Sequence, residues 1–353
     1  MKMLEWIALA TGVVLFTGLV YHIGYSTLLR DLSLVGVGFI FIFGQELLAI
    51  LFNTFGWHYA IRPMQRSVAL TDLFAMRLAG DAMNYITPSA SFGGEFVKAR
   101  LLQRRISTTE AASSVCVAVV NQFLSQIVFI LASLPIFMGY ALLPEVKNLT
   151  FGVFGFFVFA CAALFYLGRR GNLFQQVRTF FLKLGWFSQW LKNGDAWRKL
   201  DENIFGSFQL HPLDNVLSVF FFTLGWGMGV VEVYLILHFL QMPAGWNSAV
   251  AIEGLSILVD MSFFFVPAKI GTQEGGKYFI FLLLGLNPAS GFALGVVRRL
   301  REISWTMLGL LAFGCYQYGK ILPRNWSESV RWPGRRKSSF LDECEGPISE
   351  KRL

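Results

Sequence analysis

Cysteine and histidine are scarce in this chain of 353 residues, with four of each. Cys116, Cys161 and Cys315 lie in apolar runs and Cys344 in a polar tail, which is not the spacing of a disulfide framework or a zinc site. The histidines stand apart, and neither a G-x-S-x-G turn nor a P-loop occurs. The sequence therefore predicts no metal, cofactor or enzymatic activity, although a membrane transferase that uses only carboxylates stays compatible with it.

Charge is also sparse, at 15% of the residues, whereas 55% are hydrophobic and the mean hydropathy is +0.54. A water-soluble globule needs more polar surface than this, so the composition predicts an all-α polytopic membrane protein. About 20 apolar residues are enough for a helix to cross a bilayer. Six stretches qualify: Leu4–Tyr25, which we interpret as a retained span rather than a signal peptide, Leu34–Ala60, Ala111–Leu134, Phe151–Leu167, Leu213–Leu240 and Ala289–Tyr316.

The formal net charge of +8 comes largely from Lys and Arg residues in the connections between apolar stretches. They concentrate around residues 62–66 and 98–105, in a central loop at about 169–212, and after residue 320. Basic loops stay in the cytoplasm, so the pattern predicts a multi-pass membrane protein with both termini and the central loop cytoplasmic. It gives an integral membrane domain at residues 1–322 and a disordered basic tail at 323–353.

Two further apolar stretches are interrupted, and they share the frame D-x6-P-x6-E-x2-K at an offset of 179 residues. The first runs from Asp81 to Lys98 and the second from Asp260 to Lys277. The predicted helix breaks are Pro88, Gly93, Gly94, Pro267 and Gly271. Similar broken segments at corresponding places in two halves are typical of transporters built from repeats.

Basic residues on both sides of the first interrupted stretch predict that it enters and leaves the membrane on the cytoplasmic face, as a re-entrant hairpin. The second stretch would then dip in from the outer face. Repeat A, about 34–134, and repeat B, about 213–316, would be inverted relative to each other, giving about six full spans and two opposed hairpins. The alternative is an eight-helix bundle in which both stretches cross completely, and charge counting does not separate the two.

Ionisable residues in these apolar stretches are the candidate site, because a charge at membrane depth is costly and normally paired or functional. Arginines offer bidentate contacts to phosphate, and helices that restart after a break offer free N–H groups. The predicted substrate-binding residues are Arg298, Arg301, Lys98, Arg100, Ser89, Ser91 and Thr272. The predicted gating or coupling residues are Asp81, Glu95, Asp260, Glu274, Lys277 and Glu302. An internal salt-bridge network of the arginines with Glu302, Glu274 or Asp260 is the structural alternative.

The central loop contains apolar residues at three- and four-residue steps between Leu173 and Leu184. This spacing suits an amphipathic helix lying on anionic headgroups. A cytoplasmic loop packed on the bundle explains it equally well.

The segments TPSASFGGEFVKARLL (Thr87–Leu102) and VPAKIGTQE (Val266–Glu274), followed by a span bearing Arg298 and Arg299, resemble the flippase-like transmembrane domain of lysylphosphatidylglycerol synthases, also called multiple peptide resistance factors. The resemblance covers about residues 5–320 and implies a lipid-translocating fold. The matching motif positions are Pro88, Gly94, Glu95, Pro267, Gly271 and Glu274. The soluble aminoacyl-transfer domain of that family is missing, so a stand-alone member without lysine transfer is expected.

Three functions follow as hypotheses. The first is a translocase that moves a phospholipid or another polar-headed lipid between leaflets, with anionic or phosphate headgroups as ligands and no nucleic acid partner. The second is a membrane-embedded lipid-modifying enzyme or an accessory subunit of lipid or hopanoid biosynthesis. The third is a scaffold for lipid-synthesis enzymes, whose membrane charges should tolerate substitution. The cargo, direction, energy source and oligomeric state stay open.

Single cysteines at Ser91 and Thr272, in a chain without its native cysteines, distinguish opposed hairpins from full crossings. We expect an impermeant thiol reagent to label Ser91→Cys from the cytoplasmic side and Thr272→Cys from the outer side. Labelling of both positions from one side would contradict opposed hairpins.

Overall fold

The computed structural model describes residues 25–64, 68–86, 92–139, 194–242, 245–263, 266, 269 and 271–317, with scattered positions at 17–22 and 148–166. All the elements within these ranges are helical. The longer ones are α1 (Tyr25–Val35), α2 (Phe39–Ile61), α3 (Leu70–Ile86), α4 (Phe92–Leu102), α5 (Thr108–Met138), α6 (Gly194–Leu210), α7 (Pro212–Phe239), α8 (Trp246–Ser262), α9 (Thr272–Leu283) and α10 (Pro288–Gln317). The described residues up to Phe313 form one compact unit, and residues 314–317 are described only as the end of α10.

Three segments of the described chain are long and apolar enough to cross a membrane: Leu28–Ile61, Thr108–Met138 and Pro212–Phe239. They coincide with the predicted spans at Leu34–Ala60, Ala111–Leu134 and Leu213–Leu240. Helix α10 matches the predicted span Ala289–Tyr316 within a residue at each end. The predicted spans at Leu4–Tyr25 and Phe151–Leu167 lie mostly outside the described residues, as does the predicted tail.

Helix α5 is longer than its apolar stretch because local signals define its start. Ser107 accepts a hydrogen bond from the Glu110 backbone N–H at 3.3 Å, and the Glu110 carboxylate accepts one from the Ser107 N–H at 3.1 Å. This reciprocal capping box satisfies N–H groups that a helix start leaves unpaired. The helix also continues past Pro135 to Met138.

Helices α2 and α7 form an antiparallel pair at the centre of the fold. Gly38, before α2, lies against Phe239 at the end of α7, and Gly56 lies against Phe222 near the middle. Beyond them, the Ser218 hydroxyl donates to the Gly56 carbonyl at 2.7 Å, and Arg62 pairs with Asp214 at 3.3 Å. Glycines along this interface let two large aromatic side chains sit against the opposite backbone.

Each interrupted stretch consists of two helices packed against each other. In the first pair, the Asn84 side chain near the end of α3 accepts a 2.6 Å hydrogen bond from the Gly94 N–H near the start of α4. One turn further from the break, Asp81 of α3 and Lys98 of α4 form an ion pair of 2.8 Å. This order of contacts makes α3 and α4 antiparallel. In the second pair, α8 and α9, Gly276 packs against Val259.

The structure revises the roles of two predicted helix breaks. Gly93 and Gly94 lie in the first turn of α4 rather than in the interruption. A Cβ on Gly94 would run into the Gly80 carbonyl and the Asn84 side chain, so Gly94 allows close approach of two helices. Gly271 directly precedes α9 with φ of 76°, a conformation that favours glycine. Pro88, Ser89, Ser91 and Pro267 lie outside the described residues.

Part of the predicted central loop is helix α6, which packs on α5. Asn203 donates to the Ser113 hydroxyl at 3.2 Å. Asn215, at the start of α7, donates to the Ser207 carbonyl at 3.0 Å and accepts from Asn121 of α5 at 2.9 Å. These buried amide contacts favour the packed alternative for residues 194–210, whereas the amphipathic stretch at 173–184 lies outside the described residues.

Gly94→Ala tests the close approach of α3 and α4. An added Cβ forces the backbones apart, and we expect a loss of about 1–3 kcal/mol in the free energy of unfolding. Thermal unfolding of the purified protein in detergent provides the measurement. Gly44→Ala in α2 is the matched control, because a Cβ there meets nothing within 4 Å; equal effects of the two substitutions would contradict the packing described.

Candidate functional site

Charged side chains from four helices, and from the segment that precedes α9, converge on those in the middle of α10. We call this group the α10 cluster. Its carboxylates are Glu46, Glu232, Glu253, Asp260, Glu274 and Glu302, and its cations are Lys269, Lys277, Arg298, Arg299 and Arg301. It therefore brings together the predicted residues from the second interrupted stretch and the last span.

Arg298 is buried, with 6% of its surface exposed. Its Nη2 atom lies 2.9 Å from Glu232 of α7 and 2.8 Å from Glu253 of α8. Gly229, one turn before Glu232, makes room for the Glu253 carboxylate, since a Cβ there would collide with it. One guanidinium thus ties three helices together.

Arg301 lies on the same face of α10, three residues further along. It pairs with Glu46 of α2 and, through Nε, with Glu232 at 2.9 Å. Arg298 and Arg301 were predicted to bind an anionic headgroup, and both are already held by carboxylates. Contact with a headgroup would require these pairs to open, so that prediction stays untested.

Arg299 points in another direction because adjacent helical residues are about 100° apart. Its Nε donates to Glu274 at 2.7 Å, one Nη donates to the Tyr85 hydroxyl at 3.2 Å, and the other donates to the Lys269 carbonyl at 3.1 Å. Tyr85 belongs to α3, whereas Glu274 belongs to α9. Arg299 therefore links the two interrupted stretches.

The start of α9 already has a carboxylate. Glu274 accepts from the Gly271 N–H at 2.9 Å while its other oxygen binds Arg299. The sequence predicts that restarted helix ends cradle phosphate, and here the protein's own anion takes that position. The Thr272 hydroxyl, a predicted ligand donor, donates to the Lys269 carbonyl at 3.1 Å.

Small residues on α10 bring it against α9. A Cβ at Gly295 would lie 2.9 Å from the Glu274 Cα, and one at Gly291 would lie 2.6 Å from the Lys277 carbonyl. Such glycines let helix backbones approach closely in membranes. This approach places Glu274 within reach of Arg299.

Lys269 lies in the segment between α8 and α9. Its φ of 51° is uncommon for a residue with a side chain. Its ammonium group pairs with Asp260 of α8 at 3.0 Å. The predicted gating residue Asp260 is therefore matched by a cation that the repeated frame does not contain.

The first hairpin has a separate cluster with equal numbers of acids and bases. Lys98 is buried and pairs with Asp81 and Glu95, both at 2.8 Å, and Arg77 pairs with Asp81 at 3.3 Å. Asn84 donates to Glu95 at 3.3 Å. Arg100, also predicted to bind substrate, is exposed at the end of α4.

Two members of the α10 cluster form no close ion pair within the described structure, although each interacts electrostatically with several opposite charges. Lys277 is 1% exposed and has no hydrogen bond or ion pair with any residue that the structure describes. Glu302 accepts from the Gln273 side chain at 3.0 Å, and its nearest cation is Arg301 at 3.9 Å. The latter distance exceeds that of a hydrogen bond.

Sequence reasoning finds the charges but not their partners. Glu46, Glu232, Glu253, Arg77 and Lys269 are recognisable as ionisable residues in apolar stretches, but the helix pairing that brings them together is not. Tyr85 and Asn84 carry no charge and do not repeat at the 179-residue offset, so no signal identifies them. Their roles depend on helix packing.

No curated protein and no solved structure matches the chain. A family model described as the lysylphosphatidylglycerol synthase transmembrane region matches residues 6–310. This range includes every charged residue of the two clusters, and with the long apolar helices it identifies a membrane protein with a lipid-related function. The chain belongs to the family of the lysylphosphatidylglycerol synthase transmembrane region.

Proposed function

We propose that the protein is a lipid translocase of the bacterial inner membrane, with both termini in the cytoplasm, and that it moves a phospholipid or another polar-headed lipid between leaflets. Its headgroup would pass between the two hairpins while the acyl chains stay in the bilayer. The observation that carries the proposal is Arg299, which contacts Tyr85 of the first hairpin and Glu274 of the second. A guanidinium between the two hairpins can contact a headgroup that approaches from the side of either one.

The packing of α2 on α7 supports an inverted repeat. Asn53 of α2 lies against Gly225 of α7. At the 179-residue offset, Asn53 corresponds to Glu232 and Gly225 corresponds to Glu46. Glu232 and Glu46 also lie in this interface, where both pair with Arg301. Two contacts related by exchange of the halves are what a two-fold axis in the membrane plane would produce.

The unequal pairing of the three arginines suggests which one would bind the headgroup. Arg298 and Arg301 each lie within 3 Å of two carboxylates, whereas the described contacts of the Arg299 Nη groups are with neutral oxygens on Tyr85 and Lys269. A phosphate offers a guanidinium stronger, charge-assisted hydrogen bonds than a hydroxyl or a carbonyl does. We therefore assign the first headgroup contact to Arg299, with Glu274 as its counter-ion when the site is empty.

In this mechanism the headgroup phosphate competes with the Tyr85 hydroxyl for Arg299. Loss of that contact would separate the two hairpins where they meet. Re-formation of the contact after release would close the path. Translocation requires no covalent change in the lipid, so no enzymatic step is proposed, and enzymes of lipid synthesis would be partners only as suppliers of cargo.

Reconstitution with short-chain fluorescent phosphatidylglycerol tests the assignment. We expect Arg299→Ala and Glu274→Ala to slow headgroup movement at least tenfold, because loss of a charge-assisted contact is worth about 1.5–3 kcal/mol. The measurement is the rate at which dithionite, added outside, reaches label that started in the inner leaflet.

Arg198→Ala is the matched control, since Arg198 lies on the exposed face of α6 and pairs with Glu202 at 3.6 Å. Wild-type rates in Arg299→Ala and Glu274→Ala would show that the assigned site is wrong.

Mass spectrometry of lipids from a deletion strain distinguishes the enzyme hypothesis from the translocase hypothesis. A chemically altered headgroup supports an enzyme, whereas an altered leaflet distribution supports a translocase.

A further inference from the structure

The repeated frame D-x6-P-x6-E-x2-K forms different ion pairs in its two copies. In the first hairpin, Lys98 is buried and its ammonium group lies 2.8 Å from both frame carboxylates, those of Asp81 and Glu95. In the second hairpin, the equivalent Lys277 is also buried but has no close ion pair with any residue that the structure describes. One sequence frame therefore has two charge arrangements in the same molecule.

A cation that the first half lacks explains why Lys277 has no close partner. The frame carboxylate on the same helix, Glu274, pairs instead with Arg299 at 2.7 Å. At the 179-residue offset, the position of Arg299 corresponds to Val120, which carries no charge. In the first hairpin no such arginine competes for the frame glutamate, so the frame lysine holds it.

The helix packing around the two lysines also differs. A Cβ at Gly80 would collide with the Lys98 side chain, so Gly80 leaves room for that lysine between α3 and α4. The residue equivalent to Gly80 is Val259, which packs against Gly276. A lysine on α9 therefore has less room to reach the frame aspartate on α8, whereas the frame glutamate lies on its own helix.

Lys277 is not committed to another partner in the described structure. Its charge interacts with Asp260, Glu302 and Glu253, and with the like charge of Arg298. These interactions help to offset the cost of burying the ammonium group, but none of them is a close ion pair within the described residues. Lys277 can therefore move to a carboxylate without breaking one.

The spacing on α9 allows an ion pair between Glu274 and Lys277. They lie three residues apart, which places two side chains on the same face of a helix. Glu95 and Lys98 have this spacing on α4 and form a 2.8 Å pair, and in both helices the glutamate is in the first turn. Side-chain rotation can thus bring Glu274 and Lys277 together once Arg299 releases the carboxylate.

Binding of a headgroup at Arg299, as proposed above, would produce that release, and the present inference rests on that function. Glu274 is buried, with 1% of its surface exposed. When a phosphate occupies Arg299, Glu274 loses its counter-ion and also faces an added negative charge. A buried carboxylate in that situation is strongly unfavourable.

We propose that Lys277 becomes the counter-ion of Glu274 when a headgroup phosphate occupies Arg299. The second hairpin then adopts the pairing that the first hairpin already has between Glu95 and Lys98. With the lipid bound, two cations serve two anions, and no covalent bond forms or breaks. Lys277 is a positioning residue in this exchange, because it holds the displaced carboxylate and does not itself bind the lipid.

Binding of short-chain fluorescent phosphatidylglycerol to the purified protein in detergent tests the exchange without transport. We expect Lys277→Met to weaken binding by at least about tenfold, because the displaced Glu274 carboxylate is left without a counter-ion. In a Glu274→Gln background we expect Lys277→Met to change the affinity by less than about twofold, since no displaced charge has to be neutralised. Lys199→Met, at an exposed position of α6, is the matched control and should bind as the wild type does.

The comparison of the two backgrounds separates the exchange from other roles of Lys277. A folding defect, or a direct contact between Lys277 and the lipid, does not depend on Glu274 and would weaken binding equally in both backgrounds. That result would overturn the proposal, as would wild-type affinity in Lys277→Met.

Transport in proteoliposomes separates this inference from the proposed function. A wild type that binds the lipid but moves none refutes the translocase, while the binding comparison still decides the exchange. Transport by the wild type together with equal losses of affinity in the two backgrounds overturns the exchange alone. A wild type that binds no phosphatidylglycerol overturns both the exchange and the assignment of Arg299 as the headgroup contact.

Discussion

The need to compensate buried charge controls the arrangement of this protein. Glu232 accepts two guanidinium groups, from Arg298 and Arg301, and each of these reaches a further carboxylate on another helix. Removing one partner would leave ions with no counter-charge in an apolar surrounding, which costs several kcal/mol. The positions of α2, α7, α8 and α10 relative to one another are therefore coupled through one set of ion pairs.

The two ends of the α2–α7 interface differ in their chemistry. One end has Glu46 and Glu232 around Arg301, whereas at the other end Asn53 packs against Gly225. The first hairpin balances its acids and bases locally, around Lys98. Within its described residues, the protein thus has one self-contained charge cluster and one whose members come from several helices.

Much of the helical layout was predictable from hydropathy, because a run of about 20 apolar residues indicates a membrane-spanning helix. The limits of α7 and α10 agree with the apolar stretches to within a residue, whereas α5 begins earlier because Ser107 and Glu110 cap it. The candidate site was only partly predictable. Its charged residues stand out in sequence, but the choice of Glu232 and Glu253 over Glu302 as partners of Arg298 depends on helix packing at glycines such as Gly229.

Adjacent arginines on α10 have a mechanical consequence. Arg298 is anchored towards α7 and α8, while Arg299 is anchored towards α9 and the end of α3. Rotation of α10 about its own axis would strain the ion pairs of Arg298 and the contacts of Arg299 at the same time. Ion pairs and hydrogen bonds on two sides therefore hold α10 against rotation relative to its neighbouring helices.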